Sequence, residues 1–211
     1  DASPEKKIAI FSTWLDNRTK LCGEGLPEAG NLHFDYAFDG LELDTIQFPH
    51  DNNADYIRKI DDTVSAVAAA YIEKEGPDLS WVYLEHTDDM GHKYGDSPQF
   101  YDAVQAADNR IKKIWDAIQA RSRATNEEWL IIVTTDHGRD AVTGNNHGGQ
   151  SDRERASWIA TNATQLNAQF SAGMASLADI MPTIAQWMQV SIPKAQAMEI
   201  DGISLDGKLK A

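Results

Sequence analysis

The sequence has a single cysteine, Cys22, in 211 residues. A disulfide framework and a cysteine-rich zinc site are therefore both excluded. Basic residues are also scarce, with 19 Lys and Arg against 33 Asp and Glu, and the formal net charge is −14. Long nucleic acids and anionic membranes both favour a basic surface, so we expect neither as the main partner. No apolar run approaches the roughly 20 residues that a membrane-spanning helix needs, so no membrane span is expected.

The chain does have enough apolar residues for a core, at 42% of the sequence. Its length suits one sizeable domain, and we predict a single α/β domain over residues 1–211. The chain opens with Asp1 rather than methionine. We therefore expect that upstream residues have been removed.

Four short apolar runs predict β-strands at residues 7–12, 79–85, 129–135 and 156–161. Apolar residues recur at three- and four-residue spacing over 56–72 and 100–118, and a third helix is predicted to begin near Asp179. Alternating strands and helices predict right-handed crossovers and a mainly parallel sheet sandwiched by helices. Residues 13–53 show no clear period and are predicted to be loop, and 198–205 to form a turn or short hairpin.

Potential metal ligands follow two of the predicted strands. Asp88 and His92 come shortly after the second strand, and Asp136 and His137 directly after the third. His147 follows later, between a pair of asparagines and a pair of glycines. Functional groups gather beyond the carboxyl ends of strands in parallel sheets, so these segments are predicted to form one site.

The residue types suit a divalent metal ion. Asp88 and His92 are four positions apart, which places both on one face of a helical turn. Carboxylate oxygen with imidazole nitrogen suits zinc, or a borderline ion such as iron or manganese. Neighbouring Asp136 and His137 can converge only if the chain leaves the strand alternation, and Gly138 is expected to supply that freedom. Each segment alone is more often a solvated turn, but the three together favour a metal site.

These segments resemble the motifs of the alkaline phosphatase superfamily, and the nearest branch is type I phosphodiesterase/nucleotide pyrophosphatase. The resemblance covers most of the chain from about Leu79 onward, in the family's order. It rests on Asp88-x-x-Gly91-His92-x-x-Gly95, Thr134-Thr135-Asp136-His137-Gly138, His147-Gly148-Gly149, 178–184 and Asp201-Gly202-Ile203-Ser204-Leu205.

The resemblance implies two divalent metal ions, with zinc preferred. One ion would be held by Asp88, His92 and His147. The second would be held by Asp136 and His137, with a further Asp and a Thr or Ser nucleophile that the family places in its N-terminal portion. Nothing in this sequence matches those two residues. The chain therefore resembles the C-terminal portion of a larger phosphatase-like domain.

The function implied is hydrolysis of a small phosphate ester, as in a phosphodiesterase or nucleotide pyrophosphatase. Lys93 and Tyr94 follow the first motif and are predicted to contact substrate. A phosphomonoesterase, a phosphosugar mutase, a sulfatase-like hydrolase and an inactive metal-binding module remain open. The resemblance to exported bacterial members favours an extracytoplasmic location, and the sequence gives no indication of the oligomeric state.

Overall fold

The computed structural model describes residues 5–207, so the two ends of the predicted domain, 1–4 and 208–211, lie outside the described residues. The chain divides into two compact units. The larger unit comprises residues 5–127 with 143–146, and the smaller unit comprises 128–142 with 147–207. The single domain expected from the sequence stays a prediction.

A three-stranded parallel sheet forms the centre of the larger unit. Its strands are β1 (Ile8–Ser12), β2 (Tyr36–Phe38) and β3 (Leu79–Tyr83), in the order β2-β1-β3. Ile10 on the central strand lies opposite Ala37 on one side and Trp81 on the other. Ile10 and Phe11 are fully buried, as expected for a strand in the middle of a parallel sheet.

Three helices accompany this sheet: α1 (Asp55–Glu75), α2 (His86–Tyr94) and α3 (Pro98–Thr125). α1 packs against β1 and β3, and α3 packs against both α1 and α2. The buried side of α1 includes Ile57, Ile60, Val64 and Ala68, whose spacing is that of one helical face. Short helical turns occupy Asn17–Leu21, Pro27–Ala29 and Leu41–Leu43.

The smaller unit contains a two-stranded antiparallel sheet of β4 (Ile132–Thr134) and β5 (Ile159–Thr161). Its helices are α4 (Asp152–Arg155), α5 (Ala168–Ser171), α6 (Ile180–Trp187) and α7 (Lys194–Ala197), and a short helical turn, Leu177–Asp179, precedes α6.

A buried carboxylate organises the C-terminal part of the smaller unit. Asp179 is 2% exposed and accepts hydrogen bonds from the Ser176 and Ile203 amides, both at 2.8 Å. Thr183 on α6 accepts from the Leu205 amide at 2.8 Å. A Cβ atom at Gly202 would lie 1.9 Å from the Ala178 carbonyl oxygen. The side chains of Asp179 and Thr183 thus hold the main chain of residues 201–205, where the sequence predicted a turn or short hairpin.

The architecture confirms the predicted α/β class with a parallel sheet and flanking helices. The pairing of the last two strands differs from the crossover topology expected, because β4 and β5 pair antiparallel. A parallel pair needs a long crossover, usually a helix, and α4 between them has only four residues. Within residues 5–207, no helix has both the length and the apolar content of a membrane span.

Candidate metal centre

The first pair of predicted ligands lies on α2 in the larger unit. β3 ends at Tyr83, and α2 begins three residues later at His86. Asp88 and His92 are one turn apart, and Asp88 Oδ2 lies 3.2 Å from His92 Nε2. Both side chains are partly exposed. The structure therefore brings this pair together as the spacing predicts.

The separation of these two atoms fits a shared ion. Two donors bound to one tetrahedral ion at about 2.1 Å are roughly 3.4 Å apart. The Asp88–His92 separation of 3.2 Å is close to that distance. One carboxylate oxygen and one imidazole nitrogen also form a donor set that zinc accepts.

Side chains from two other segments hold the ends of α2. At the N-terminal end, the Asp61 carboxylate accepts hydrogen bonds from the Glu85 amide at 3.1 Å and the His86 amide at 3.0 Å. At the C-terminal end, Asn145 Nδ2 donates to the main-chain carbonyl of His92 at 3.0 Å. The helix that carries the ligands is thus fixed at both ends.

Carboxyl groups cluster at the start of α2. Burial raises the pKa of Glu85 to about 7, opposed by a hydrogen bond from the Tyr83 hydroxyl. Burial and the nearby Asp88 carboxylate also raise the pKa of Asp89. Because each acid opposes ionisation of its neighbours, a cation bound here would relieve the repulsion.

The second pair of predicted ligands follows β4 in the smaller unit. Asp136 Oδ1 lies 3.6 Å from His137 Nε2, a separation also compatible with one ion. The Gly138 amide donates to the Glu154 carbonyl at 2.8 Å, and a Cβ atom at Gly138 would lie 1.9 Å from the Arg153 carbonyl oxygen. Glycine is needed here for close backbone approach, rather than for the conformational freedom inferred from sequence.

The third segment brings His147 against His137. Their rings are stacked, with centroids 3.7 Å apart and an interplanar angle of 13°. Each ring offers a nitrogen atom within 4.8 Å of one on the other ring. His137 Nδ1 lies 2.9 Å from the Gly138 carbonyl oxygen, which can only accept, so a proton on Nδ1 can be donated to that oxygen. The smaller unit therefore brings His137 next to Asp136 on one side and to His147 on the other.

The two residues predicted to contact substrate have different surroundings. Lys93 Nζ donates to the Asn52 carbonyl at 2.6 Å and to Asn53 Oδ1 at 2.9 Å. Tyr94 lines a cavity of about 750 Å³ in the larger unit, and α2 also contributes His86 and Met90 to its wall. These positions lie roughly 200° around the helix from Asp88 and His92, so the cavity is on the other side of α2.

Ser12, the last residue of β1, and Thr13, which follows it, both carry hydroxyl groups and are both fully buried. The Thr13 hydroxyl donates to Asp61 Oδ1 at 2.6 Å. Ser12 Oγ donates to the Trp14 carbonyl at 2.8 Å. Both hydroxyls serve the fold, and neither is accessible to a substrate.

The family described as type I phosphodiesterase/nucleotide pyrophosphatase matches residues 12–183. The chain belongs to this family. The matched range contains all five predicted metal ligands of this phosphodiesterase-family chain.

Two curated proteins similar to this phosphodiesterase-family chain are 2,3-bisphosphoglycerate-independent phosphoglycerate mutases. The protein from Gracilaria tenuistipitata var. liui is 32% identical over 146 residues, which are 68% of this chain and 26% of the relative. The protein from Mycoplasma mycoides subsp. mycoides is 23% identical over 128 residues, 61% of this chain and 23% of the relative. The chain thus spans about a quarter of the length of these relatives.

A solved structure shares the fold of this phosphodiesterase-family chain. It is a Leishmania mexicana phosphoglycerate mutase described at low cobalt concentration, with a TM-score of 0.59 and 16% sequence identity. The likeness covers 95% of this chain and 37% of the other. At this identity it supports the fold class alone.

Sequence reasoning missed the groups that position α2. Asp61 lies on the buried face of α1, and Arg110 lies on that of α3, with Asp61 Oδ2 3.8 Å from Arg110 Nη1. An acidic residue on the apolar face of one helix and a basic residue on the apolar face of another could have indicated a buried ion pair from the sequence. The Asn145 side-chain amide, which donates to the His92 carbonyl, is another of these groups.

Proposed function

We propose that this protein is a metal-dependent phosphoryl-transfer enzyme that hydrolyses phosphate esters, with a phosphodiester or nucleotide pyrophosphate as the substrate class. Asp88, His92 and His147 hold one ion, and Asp136 and His137 hold the second. The observation that carries the proposal is the presence of two carboxylate–imidazole pairs, each with a separation that suits one ion, within the matched family range.

The preferred ions are two zinc ions, because the donor sets combine carboxylate oxygen with imidazole nitrogen. Cobalt, named in the description of the Leishmania mexicana structure that shares the fold, is a second ion to test. When bound, such ions activate a hydroxyl or water nucleophile and stabilise the leaving oxygen. The nucleophile itself is proposed to come from sequence outside this chain.

The residues of this chain prepare the site for those ions. His137 Nδ1 lies beside the Gly138 carbonyl and Nε2 lies 3.6 Å from Asp136 Oδ1, so Nε2 is the proposed donor atom to the ion. The Asp88 and His92 donor atoms lie 3.2 Å apart, a separation that suits one ion. Carboxylates rather than basic side chains dominate the start of α2, so bound cations rather than lysines neutralise the phosphate.

A phosphomutase is the second candidate, because both curated relatives named above are phosphoglycerate mutases. The two reactions share an in-line attack on phosphorus and differ in the final acceptor of the phosphoryl group. Water accepts it in a hydrolase, whereas a second substrate hydroxyl accepts it in a mutase.

The test uses the full-length protein, including upstream sequence, with Zn²⁺ or Co²⁺ added. Release of p-nitrophenol from bis(p-nitrophenyl) phosphate, or cleavage of a nucleotide diester, would support the hydrolase. Interconversion of 3- and 2-phosphoglycerate without release of phosphate would support the mutase instead. Neither activity, with metal bound, would favour an inactive metal-binding module and refute the enzyme proposal.

Metal analysis of the present chain tests the site separately. We expect bound zinc after dialysis at neutral pH, and we expect His147→Ala to weaken it strongly. His33→Ala is the matched control, because His33 is an exposed histidine outside the site. A chain without any bound transition metal would contradict the ligand assignment.

A further inference from the structure

α2 begins without a cap from its own sequence. Glu85, at the N-cap position, makes no side-chain hydrogen bond to the first turn. The first amides of a helix have no partner within the helix, so an uncapped end is less stable than a capped one. The cap is supplied instead by Asp61, which lies on α1, 24 positions earlier in the chain than Glu85.

Asp61 connects three elements through one carboxylate. Its Oδ1 accepts from the Thr13 hydroxyl after β1 and from the Glu85 amide, and its Oδ2 accepts from the His86 amide. The side chain is 1% exposed, and the guanidinium of Arg110, at 3.8 Å, adds a favourable charge. A carboxylate at a helix N-terminus also interacts favourably with the helix dipole. The start of α2 is therefore tied to the sheet and to α1.

The C-terminal end of α2 is held by a second side chain. Asn145 Nδ2 donates to the Gly91 carbonyl at 3.3 Å, which also accepts from the Gly95 amide at 2.8 Å, and to the His92 carbonyl in the last turn at 3.0 Å. Gly95 closes the helix at φ +58°, where an added Cβ atom would lie 2.1 Å from the Thr143 carbonyl oxygen. The segment 143–146 thus fixes the turn that carries His92.

We propose that Asp61 and Asn145 are positioning residues for the metal site: Asp61 holds the Asp88 end of α2 and Asn145 holds the His92 end. The proposal rests on the proposed function in one respect, that Asp88 and His92 bind an ion. The two side chains keep the donor atoms at the 3.2 Å separation that an ion needs. Without them the helix ends fray, and the ion must order the helix as it binds.

The test compares Asp61→Asn, Asp61→Ala and Asn145→Ala with the control Asp62→Asn. Asp62 is the adjacent residue on α1, and its carboxylate accepts a hydrogen bond from Arg110 Nε at 2.8 Å. Its other carboxylate oxygen accepts from Arg58, whereas the α2 amides donate to Asp61. Asp61→Asn replaces one acceptor oxygen with an NH₂ group, so at least one of the three donors loses its acceptor. We expect the Asp61 and Asn145 variants to lower Zn²⁺ affinity about 10–100-fold, as loss of groups behind metal ligands commonly does.

Two further measurements separate positioning from general stability. The d–d absorption of bound Co²⁺ reports the ligand geometry and should change in the Asp61 and Asn145 variants but not in Asp62→Asn. Hydrogen exchange of the α2 amides, measured without metal, should become faster in the same variants while that of α3 stays unchanged. Thr13→Val removes one anchor of Asp61 with little change of volume, and it replaces Asp61→Ala if that variant does not fold.

Unchanged exchange in α2 would overturn the inference, whatever the metal affinity. Faster exchange with wild-type affinity and an unchanged Co²⁺ spectrum would also overturn it, because the two residues would then be structural only. A wild-type chain that binds neither ion would contradict the proposed function. The exchange of the α2 amides would then still decide whether Asp61 and Asn145 hold the helix.

Discussion

The two groups of predicted metal ligands are built in different ways. In the larger unit, Asp88 and His92 lie on a regular helix whose ends are bonded by side chains of other segments. In the smaller unit, His137 and His147 lie on irregular chain, where Gly138 lies close against the main chain of Arg153.

This difference shows which contacts fix the positions of the predicted ligands in each group. The helical pair is fixed by polar groups from α1 and from 143–146, so it should exist before the metal binds. The loop group depends on close main-chain approach at Gly138 and on the stacked rings of His137 and His147. Loop segments are more easily opened than packed helices, so the ion should order this group more strongly.

The largest expected effect comes from removing ligands. Asp88→Ala and His137→Ala should each lower zinc affinity more than about a hundredfold, which exceeds the usual effect of groups behind the ligands. Zinc added to the wild-type chain should slow amide exchange more in 136–149 than in 86–94. Calorimetry and exchange measured by mass spectrometry check both statements. Equal protection of the two segments would break the comparison.

The helical region should also show a pH dependence of stability. The pKa of Glu85 is raised to about 7, so between roughly pH 4.5 and 7 the unfolded chain releases a proton that the folded chain keeps. The free energy of unfolding should therefore fall as pH rises through this range, by on the order of 3 kcal/mol from this group.

Glu85→Gln removes the titration, so its stability relative to wild type should increase from pH 4.5 to 7. Urea unfolding in EDTA at several pH values measures the difference between the two proteins. A difference that does not vary with pH would show that the carboxyl group titrates normally.

In the loop region, the loss of stability on replacing a glycine should depend on the space available for the added Cβ atom. Gly138→Ala forces a Cβ atom against the Arg153 carbonyl oxygen, and we expect a loss of about 3 kcal/mol in stability with weaker zinc binding. Gly148→Ala is the matched variant, because no atom lies within 4 Å of its added Cβ atom. There only the backbone at φ +91° is strained, and the cost should be about 1 kcal/mol. Thermal denaturation ranks the two, and the reverse order would contradict the model of close approach.

The smallest effect should come from a cap outside both regions. Ser97 accepts a hydrogen bond from the Phe100 amide at 3.2 Å at the start of α3. Ser97→Ala should lower stability by about 1 kcal/mol. Zinc affinity should stay within twofold of wild type. A larger change in affinity would mean that the order of α2 depends on α3 as a whole.

The sequence predicted the elements with strong periodicity and missed those without it. The apolar spacing located α1, α3 and α6, and β1 and β3 lie within the predicted runs. β2 has only three residues, Tyr36–Phe38, in a segment without a period, and its place is set by pairing with β1. The antiparallel pairing of β4 with β5 was likewise not readable, because tertiary pairing rather than local pattern decides it.

The residues of the candidate site could be predicted from their types and their positions after the strands. The contacts that hold α2 in place could not. Spacing of four predicted that Asp88 and His92 would meet, and the structure places them at 3.2 Å. The contacts of Asp61 join positions 13, 61, 85 and 86, and nothing in the local sequence relates them. Long-range polar contacts of this kind depend on how α1 packs on the sheet.

The contacts that hold residues 201–205 determine which substitutions each of these positions can accept. Asp179 and Thr183 recognise amide groups that every residue except proline possesses, so the identity of position 203 is little constrained and its side chain is 41% exposed. Position 202 tolerates only glycine, since the Ala178 carbonyl occupies the space of a side chain. Position 205 must stay apolar, because Leu205 is 2% exposed. Homologues of this chain should therefore vary freely at position 203, while they keep glycine at position 202 and an apolar residue at position 205.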